Sequence, residues 1–273
     1  MKTRITISLN PQILKELDSI VDGENILNRS NAIERILKER FSPKSIKKAF
    51  ILAGGQGIRL RPLTYELPKP MVPIKGKPIM EYAINKLKEA GVSDIVISVG
   101  YLGEKVRDYF GDGAKFGVSI KYLEEKVPLG TAGPLRLSSN LFNDDFFMLN
   151  GDDLFDFDLD KMYEFHKKNR SLATIALTTT DNVSQFGAVE MEGNKITKFV
   201  EKPTGMQSTH LINAGIYILN PLIVSLIPEG KSSMEGLFEK LATKGKLNGF
   251  LCSGKWLPCD NMQLYEKALK NWP

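Results

Sequence analysis

The sequence predicts an α/β fold with a three-layer, mainly parallel mixed sheet, preceded by a small separate module. From Ala49 onward, short apolar runs typical of buried strands alternate with segments of helical periodicity. The chain before Ala49 contains one strictly alternating segment and two amphipathic segments, which end at a stretch rich in Pro, Ser and Lys. We therefore expect a front module at residues 1–42, a linker at 43–48 and a large domain at 49–273.

The front module begins with a segment of strand periodicity. Between residues 3 and 9, apolar and polar side chains alternate, which is typical of a half-buried strand. A helix is predicted directly afterwards, because Asn10 is a good N-cap, Pro11 fits a first turn and apolar residues then recur at helical spacing. A second amphipathic helix starts near residues 28–30 and ends before Pro43. Since so short a unit buries too little surface to fold alone, we expect a second copy of the chain to complete it.

Residues 2–41 resemble the ribbon-helix-helix DNA-binding family, in which two chains pair their strands into a ribbon that enters the major groove. The resemblance implies double-stranded DNA as a partner and a homodimer or higher homo-oligomer. It also implies contacts to base edges from the strand and to phosphates from the start of the second helix, by Arg4, Thr6, Ser8, Asn28, Arg29 and Ser30. The first 48 residues carry four of the five net positive charges, which suits an anionic partner. A dimerisation module with a solvated polar face is the alternative.

The large domain is predicted to contain a series of buried strands. Five apolar segments predict them: Ala49–Ala53, Asp94–Gly100, Val118–Glu125, Phe146–Asp152 and Ala173–Thr180. A helical pattern from Pro78 ends at Gly91, between the first two of these strands. Because ligands of such sheets bind at the carboxyl ends of the strands, we expect a site directly after Ala53.

The composition argues against several classes of protein. No apolar run approaches the roughly 18 residues that span a bilayer, and the N-terminal segment lacks the apolar centre of a secretory signal. Two cysteines are too few for a disulfide framework or a Cys-only metal site, and the two histidines lie far from them in the sequence. We expect a cytoplasmic protein with no membrane partner and with reduced thiols.

A glycine-rich segment follows the first strand, reading LAGGQGIRLRPLTYELPKPM from Leu52 to Met71. Glycines at this position let backbone N–H groups approach an anion closely. The segment lacks the Gly-Lys-Ser/Thr of a Walker loop and the glycine spacing of the dinucleotide fingerprint. Arg59, Arg61 and Lys69 supply three cations, which suit a triphosphate better than a single phosphate. The segment therefore predicts a nucleotide-binding loop.

Six ordered motifs resemble the signature of the sugar-1-phosphate nucleotidylyltransferases, also called nucleotide-sugar pyrophosphorylases. They are the glycine-rich segment, PLGTAGPL from Pro128, NGD from Asn150, FGAVE from Phe186, FVEKP from Phe199 and NAGIY from Asn213. The resemblance covers about residues 50–269 and implies a Rossmann-like nucleotidyltransferase domain. It implies that a sugar 1-phosphate oxygen attacks the α-phosphorus of a nucleoside triphosphate and expels pyrophosphate, with Mg²⁺ as cofactor.

The same resemblance implies roles for single residues. Catalytic roles fall to Arg59, Lys69 and Asp152, and Asp152 would also hold Mg²⁺. The nucleotide would be bound by Leu52, Ala53, Gly54, Gly55, Gly57, Glu125 and Gly130. The sugar phosphate would be bound by Gly187, Glu201, Lys202 and Asn213.

Glu125 is the residue that the resemblance places against the edge of the base. A carboxylate accepts hydrogen bonds, so it can pair with the N1–H and amino group of guanine or with the N3–H of uracil or thymine. The PLGTAGPL motif is similar to the mannose-1-phosphate guanylyltransferase and glucose-1-phosphate branches of the family. We expect guanine first, and the alternatives stay open on the sequence alone.

The chain departs from the family pattern at two positions. Ile58 stands where the family has a hydroxyl residue, which removes one contact to phosphate. Pro258 stands where the family has its second Mg²⁺-binding Asp, so that Asp260 and Asp153 are the candidate replacements. Asp260 fits the N-cap of the following helix equally well. Two hypotheses follow: an active pyrophosphorylase, or a nucleotide or nucleotide-sugar sensor without turnover that controls DNA binding by the front module.

Overall fold

The computed structural model of the chain describes residues 6–22, 26–41, 45–125, 127–205 and 208–273. The chain divides into two compact units, Met1–Lys44 and Ser45–Pro273. The second unit begins inside the stretch that the sequence assigns to a linker. There Ile46 is buried in the core of this unit, and the first strand starts at Lys48.

The first unit contains two helices, α1 (Pro11–Ser19) and α2 (Arg29–Phe41). The predicted start of α1 is confirmed, because the Asn10 side chain accepts a hydrogen bond from the backbone N–H of Gln12 over 2.8 Å. The buried side chains of this unit among the described residues are Leu17, Ile26 and Ala32.

The predicted strand at residues 3–9 is described only in its second half. Residues 6–9 belong to no helix or strand, and Arg4 lies outside the described residues. A strand needs a hydrogen-bonding partner, and a ribbon of the expected kind takes that partner from a second chain. The single chain therefore contains two small helices, without a described ribbon.

The strands of the second unit are β1 (Lys48–Ala53), β2 (Pro73–Ile74), β3 (Lys77–Pro78), β4 (Asp94–Val99), β5 (Ser119–Glu124), β6 (Phe146–Asn150), β7 (Asp153–Phe155), β8 (Ala173–Thr179), β9 (Gly187–Glu192), β10 (Lys195–Glu201), β11 (Leu211–Leu219), β12 (Leu247–Leu251) and β13 (Trp256–Pro258). The helices of this unit are α3 (Ile79–Glu89), α4 (Gly103–Phe110), α5 (Gly133–Leu137), α6 (Leu159–Asn169), α7 (Met234–Thr243) and α8 (Met262–Asn271). The five predicted strands are confirmed as β1, β4, β5, β6 and β8, and the predicted helix is α3. None of the helices in the described ranges has the length and apolar character needed to cross a bilayer.

Nine strands form one mixed sheet in the order β5-β4-β1-β6-β11-β8-β12-β10-β9. The first four strands of this order are parallel. Beyond them, β11 lies antiparallel between β6 and β8, and β9 and β10 form an antiparallel hairpin. The predicted α/β class is confirmed, with its parallel part concentrated around β1.

Helices cover both faces of the sheet. In β1, Ala49, Ile51 and Ala53 pack on the side of α3, α4 and α6, while Phe50 packs on the side of α5 and α7. A strand that is buried on both faces carries apolar residues at every position, which is why AFILA is a continuous apolar run. The predicted three-layer arrangement is confirmed.

A separate two-stranded sheet positions the chain near its C-terminus. β13 pairs antiparallel with β7, and Pro258 lies opposite Asp153. Because antiparallel strands run in opposite directions, the residues just before β7 and just after β13 lie at the same edge. This pairing brings Asp152 and Asp260 to one place in the molecule.

Candidate active site

The glycine-rich loop follows β1 at its carboxyl end, and two of its glycines are sterically required. A Cβ atom on Gly54 would lie 2.7 Å from Oε1 of Glu125. Gly57 has a left-handed φ of 59°, and a Cβ there would lie 2.9 Å from the side chains of Lys69 and Thr64. The loop therefore packs directly on Glu125 and Lys69, two of the predicted site residues.

The NGD turn lies against the same strand end. The backbone N–H of Gly151 donates a hydrogen bond to the carbonyl oxygen of Leu52 over 2.9 Å. A Cβ atom on Gly151 would lie 2.8 Å from that oxygen, so a larger residue would push the turn away from β1. The close approach positions Asp152, the next residue, beside the glycine-rich loop.

Lys69 lies between two carboxylates. Its Nζ atom is 2.6 Å from Oδ2 of Asp152 and 2.5 Å from Oδ1 of Asp260. The same Oδ1 atom of Asp260 is 3.1 Å from a guanidinium nitrogen of Arg59. The Lys69 side chain is only 9% exposed, whereas Arg59 is more than half exposed. The structure thus joins Arg59 to Lys69 through Asp260, and Lys69 contacts Asp152 directly.

The pKa values of the ionisable groups in this cluster are shifted, and each shift has an identifiable cause. Burial lowers the pKa of the Lys69 ammonium, but the carboxylates of Asp152, Asp260 and Asp153 together outweigh burial and raise the pKa above its ordinary value. Burial also raises the pKa of Asp260, but Lys69 and Arg59 lower it to a net value below the ordinary range. At Asp153, burial and the neighbouring Asp152 together hold the pKa well above its ordinary value. Of the two candidate replacements for the second Mg²⁺-binding Asp, Asp260 and Asp153, Asp260 is therefore the one that carries its negative charge more readily.

The two carboxylates fit a divalent cation that is shared with a substrate. Mg²⁺ in proteins commonly takes one or two carboxylates and completes its coordination with water and substrate phosphates. Asp152 and Asp260 already converge on one cation, the Lys69 ammonium. Within the described ranges, no group of three or more His, Cys, Asp or Glu side chains could hold a metal ion. The donor set matches a phosphate-completed Mg²⁺ site and not an all-protein cage.

Glu125 is held at both of its carboxylate oxygens. Oε1 accepts a hydrogen bond from the hydroxyl of Ser98 over 2.7 Å, and Oε2 accepts one from the backbone N–H of Leu129 over 3.2 Å. Leu129 belongs to the PLGTAGPL motif, and Gly130 follows it with a φ of 78°. The carboxylate is therefore fixed between the glycine-rich loop and this motif.

The predicted sugar-phosphate residues meet at the ends of β9, β10 and β11. Gly187 lies opposite Glu201, and a Cβ on Gly187 would be 3.1 Å from Oε2 of Glu201. Nζ of Lys202 is 3.3 Å from Oε1 of Glu201, and Lys202 has a left-handed φ of 44°, which is uncommon for a residue with a side chain. Asn213 donates to the hydroxyl of Tyr217 over 2.8 Å.

The two groups of predicted residues form one cluster. Lys202 is close enough to lower the pKa of Asp260, after the larger effects of burial, Lys69 and Arg59. Asp260 therefore interacts with Lys69 and Arg59 from the first predicted group and with Lys202 from the predicted sugar-phosphate group. Arg61 does not join this cluster in the same way, since its guanidinium stacks 4.8 Å from the ring centroid of Tyr65.

The residues predicted to contact DNA are partly described. Thr6, Ser8 and Ser30 are exposed, and Arg4 lies outside the described residues. The side chain of Asn28 accepts a hydrogen bond from the backbone N–H of Asn31 over 3.0 Å. Arg29 forms a bidentate ion pair with Asp18, with distances of 2.6 and 2.7 Å. Asn28 and Arg29 therefore have partners inside the unit.

Sequence reasoning missed three residues that build the site. Ser98 is fully buried within the apolar run DIVISV of β4, and a hydroxyl in such a run is the signal that identifies it. Gly151 carries a weaker signal, as a glycine between two polar residues after a strand. Thr64 is also fully buried, and its hydroxyl donates to the carbonyl oxygen of Gly57 over 2.7 Å.

Comparison with known proteins gives a consistent result. The model of the family described as nucleotidyl transferase matches residues 48–270. The mannose-1-phosphate guanyltransferase of Yarrowia lipolytica is 43% identical over 220 residues, which are 77% of this chain and 60% of that protein. The mannose-1-phosphate guanylyltransferase catalytic subunit beta of Danio rerio is 39% identical over 217 residues, with the same two coverages. The chain thus spans about 60% of the length of these relatives.

Solved structures agree with this result. HddC from Yersinia pseudotuberculosis in complex with GMP-PN superimposes with a TM-score of 0.72 at 29% identity, covering 84% of this chain and all of that chain. UDP-glucose pyrophosphorylase in complex with UDP-glucose superimposes with a TM-score of 0.73 at 25% identity, covering 83% of this chain and 98% of that chain.

Proposed function

The chain belongs to the nucleotidyl transferase family, and from this premise we propose that it joins a nucleoside triphosphate to a sugar 1-phosphate. An oxygen of the sugar phosphate forms a bond to the α-phosphorus of the nucleotide. The bond between the α-phosphorus and the bridging oxygen breaks, and pyrophosphate leaves with the electron pair. The products are a nucleotide-sugar and pyrophosphate.

One observation carries this proposal: Lys69 and Arg59 converge on Asp260 beside the glycine-rich loop. Without substrate, the two cations are neutralised by carboxylates. A triphosphate offers the same cations its own oxygens, and the backbone N–H groups of the loop supply further donors. Because this reaction mainly needs positioned groups and neutralised charge, such a cluster is sufficient for its chemistry.

We infer that the nucleotide is GTP and that the sugar is mannose 1-phosphate. The inference is supported by the activities named for the Yarrowia lipolytica and Danio rerio relatives. It is also supported by the chemistry of Glu125, because each carboxylate oxygen keeps acceptor capacity beyond its present hydrogen bond. Guanine offers two adjacent donors, N1–H and the amino group, to such an acceptor.

On the sugar side, we assign the sugar hydroxyls to Glu201 and Asn213 and the phosphate to Lys202. Glu201 is half-buried, and Lys202 lies beside it. Gly187 leaves room for the sugar ring, since any side chain there would enter the space beside Glu201. The electrostatic effect of Lys202 on Asp260 supports a position between sugar phosphate and nucleotide.

We assign Asp152 and Asp260 as the carboxylates that would hold Mg²⁺. When bound, the ion would neutralise phosphate charge and polarise the phosphoryl oxygens. In this assignment Asp260 replaces the carboxylate that the family pattern has at the position of Pro258. The pairing of β7 with β13 supports this assignment, because it brings Asp260 to the edge where Asp152 lies.

The test is a panel of substrate pairs. The full chain is incubated with Mg²⁺, one of five nucleoside triphosphates and one of several sugar 1-phosphates, and pyrophosphate release is followed. We expect the highest rate with GTP and mannose 1-phosphate and no release when the sugar phosphate is left out. If no pair releases pyrophosphate while nucleotides still raise the melting temperature, the chain is a nucleotide sensor and the proposal fails.

For the first unit, we propose that it pairs with a second copy of the chain and binds double-stranded DNA. Large aliphatic side chains are exposed on this small unit, with exposures from 39% to 48% at Ile7, Ile13, Ile20, Ile36 and Leu37. A unit whose described core has three side chains gains much apolar burial from a second copy. The excess of positive charge in this part of the chain supports an anionic partner.

Two measurements test this second proposal. Sedimentation of the full chain should show a dimer or a multiple of it, and Ile13→Asp with Leu37→Asp should shift the chain toward monomer. Duplex affinity should fall steeply with salt, because phosphate contacts release counterions. Arg4→Ala should reduce sequence discrimination more than it reduces the salt slope. A monomer whose weak duplex binding does not depend on salt contradicts the proposal.

A further inference from the structure

The segment that leads into α7 forms backbone hydrogen bonds with the PLGTAGPL motif, through Ser232. The backbone N–H of Ser232 donates to the carbonyl oxygen of Leu129 over 2.9 Å, and the backbone N–H of Ala132 donates to the carbonyl oxygen of Ser232 over 3.1 Å. A Cβ on Gly130 would lie only 2.3 Å from the Ser232 carbonyl oxygen. The motif and this segment are therefore in backbone contact, and only glycine permits it.

The side chain of Thr131 adds hydrogen bonds between the motif and α7. The hydroxyl of Thr131 donates to Oε2 of Glu235 over 2.7 Å and accepts from the backbone N–H of Met234 over 2.8 Å. The single proton of the hydroxyl is used for Glu235, so the orientation of the Thr131 side chain is determined. Hydrogen bonds to an ionised acceptor are stronger than neutral ones. Glu235 therefore fixes the middle of the motif.

The PLGTAGPL motif in turn forms a hydrogen bond with Glu125, the residue that we assign to the base. Leu129, two residues before Thr131, donates its backbone N–H to Oε2 of Glu125. A displacement of the motif would remove this donor and leave Glu125 with the hydroxyl of Ser98 alone. The contacts thus form a continuous chain from Glu235 through Thr131 and Leu129 to Glu125.

We propose that Glu235 is a positioning residue for the nucleobase, which acts through Thr131 on the loop that orients Glu125. The inference rests on the proposed nucleotide-binding function of this site. Glu235 itself touches no base in this account. Its removal should weaken nucleotide binding and the preference between bases. Burial raises the pKa of Glu201, and the charges of Glu235 and Glu239 raise it further, so the effect on the sugar phosphate should not exceed the effect of removing Glu239.

The experiment compares variants of the full chain in nucleotide binding and in steady-state kinetics. Calorimetry with GTP and with ATP in the presence of Mg²⁺ gives both affinities and their ratio. For Glu235→Ala and Thr131→Val, we expect about tenfold weaker GTP binding, a smaller GTP-to-ATP ratio and a raised KM for GTP. The KM for mannose 1-phosphate should change no more in Glu235→Ala than it does in Glu239→Ala.

Conservative variants separate positioning from general stability. Glu235→Gln keeps an acceptor oxygen and Thr131→Ser keeps the hydroxyl, so both should recover most of the GTP affinity. The double variant Thr131→Val/Glu235→Ala should bind GTP no more weakly than Thr131→Val alone, because Thr131→Val already removes the contact to Glu235. Glu239→Ala is the matched control, because Glu239 is an exposed acid on the same helix whose charge, like that of Glu235, raises the pKa of Glu201 beyond the effect of burial. The Thr131 hydroxyl donates its one proton to Glu235, so this control removes a similar charge and leaves that hydrogen bond in place.

Three outcomes overturn the inference. The first is an unchanged GTP affinity in Glu235→Ala while the wild-type chain binds GTP, which leaves the proposed function intact. The second is an equal loss of GTP affinity in Glu235→Gln and Glu235→Ala. The third is no nucleotide binding by the wild-type chain, which removes the proposed function as well.

Discussion

Oδ1 of Asp260 lies 2.5 Å from Nζ of Lys69, although 191 positions separate the two residues in the chain. Lys69 follows the glycine-rich loop, and Asp260 follows the last strand. The contact therefore connects the two ends of the large unit at the carboxyl end of β1. A carboxylate two residues beyond Pro258 thus lies on the same lysine ammonium as Asp152.

Replacing this carboxylate should impair the reaction strongly. Asp260→Asn keeps the size of the side chain and removes the charge that interacts with Lys69, Arg59 and Lys202. We expect pyrophosphate release to fall by about 100-fold or more, the size of effect that removal of one electrostatic group has in other active sites. The matched control is Asp156→Asn, an exposed carboxylate that pairs with Lys86. A rate within twofold of the wild-type rate in Asp260→Asn would remove Asp260 from the site.

Replacing Lys69 should increase the stabilisation of the protein by Mg²⁺, measured as a rise in melting temperature. In Lys69→Met, the ammonium between Asp152 and Asp260 is lost and two carboxylates face each other, so we expect a loss of about 2 kcal/mol in the free energy of unfolding. Mg²⁺ without nucleotide should then raise the melting temperature of the variant more than that of the wild-type chain. The measurement is thermal unfolding with Mg²⁺ at increasing concentration, with K⁺ at equal ionic strength as the control. Equal shifts in both proteins would contradict a cation site between these carboxylates.

A methyl group at Gly54 should weaken binding of the nucleotide more than binding of the sugar 1-phosphate. The added Cβ would lie 2.7 Å from Oε1 of Glu125, so the carboxylate must move and its hydrogen bond to Ser98 is lost. We expect Gly54→Ala to raise the KM for GTP by about tenfold, with a smaller change in the KM for mannose 1-phosphate. Initial rates at varied concentrations of each substrate give both values. Equal KM values for GTP in the variant and the wild-type chain would mean that Glu125 does not orient the nucleotide.

A methyl group at Gly187 should weaken binding of the sugar 1-phosphate more than binding of the nucleotide. A Cβ there would lie 2.5 Å from Cζ of Phe199 and 3.1 Å from Oε2 of Glu201. We expect Gly187→Ala to cost about 1–3 kcal/mol in the free energy of unfolding and to raise the KM for mannose 1-phosphate more than that for GTP. The same kinetic series checks this, and Gly54→Ala serves as the opposite control. A variant that loses affinity for GTP alone would contradict the assignment of Gly187 to the sugar.

In the first unit, the ion pair between Asp18 and Arg29 limits DNA binding in this account. Asp18→Asn releases the Arg29 guanidinium for a phosphate, so we expect tighter duplex binding and a salt slope larger by about one unit. Both side chains of the pair are exposed, at 58% and 48%, so the stability of the unit should change little. Glu16→Gln is the control, because it removes the same charge from the exposed surface of the same helix. Equal effects of the two substitutions would show that only net charge matters.

Much of the fold could be predicted because local patterns determine it. The run AFILA predicts a strand buried on both faces, and β1 is such a strand. Asn10 and Pro11 predict the start of α1, because capping depends on neighbouring residues alone. The glycine-rich segment predicts a loop at a strand end, and Gly54 and Gly57 are positions where a side chain would clash. These predictions need only the residue types at neighbouring positions. The residue that a side chain at Gly54 would meet, Glu125, follows a different strand and could not be predicted in this way.

The rest of the site depends on strand pairings that no local pattern reveals. Asp260 fitted the N-cap of the last helix equally well on the sequence, but that cap is formed by Asn261. The position of Asp260 beside Asp152 follows from the pairing of β7 with β13, two three-residue strands far apart in the chain. The contact between Thr131 and Glu235 has the same origin, because it joins a loop and a helix that are 104 positions apart.

The most direct test of the proposed activity is the chemical identification of its product. The full chain is incubated with Mg²⁺, GTP and mannose 1-phosphate, and the mixture is followed by phosphorus NMR. We expect the triphosphate and sugar phosphate signals to decrease while the signals of a nucleotide-sugar diphosphate and of free pyrophosphate increase in equal amounts. Unchanged GTP signals, under conditions in which calorimetry detects GTP binding, would contradict the account.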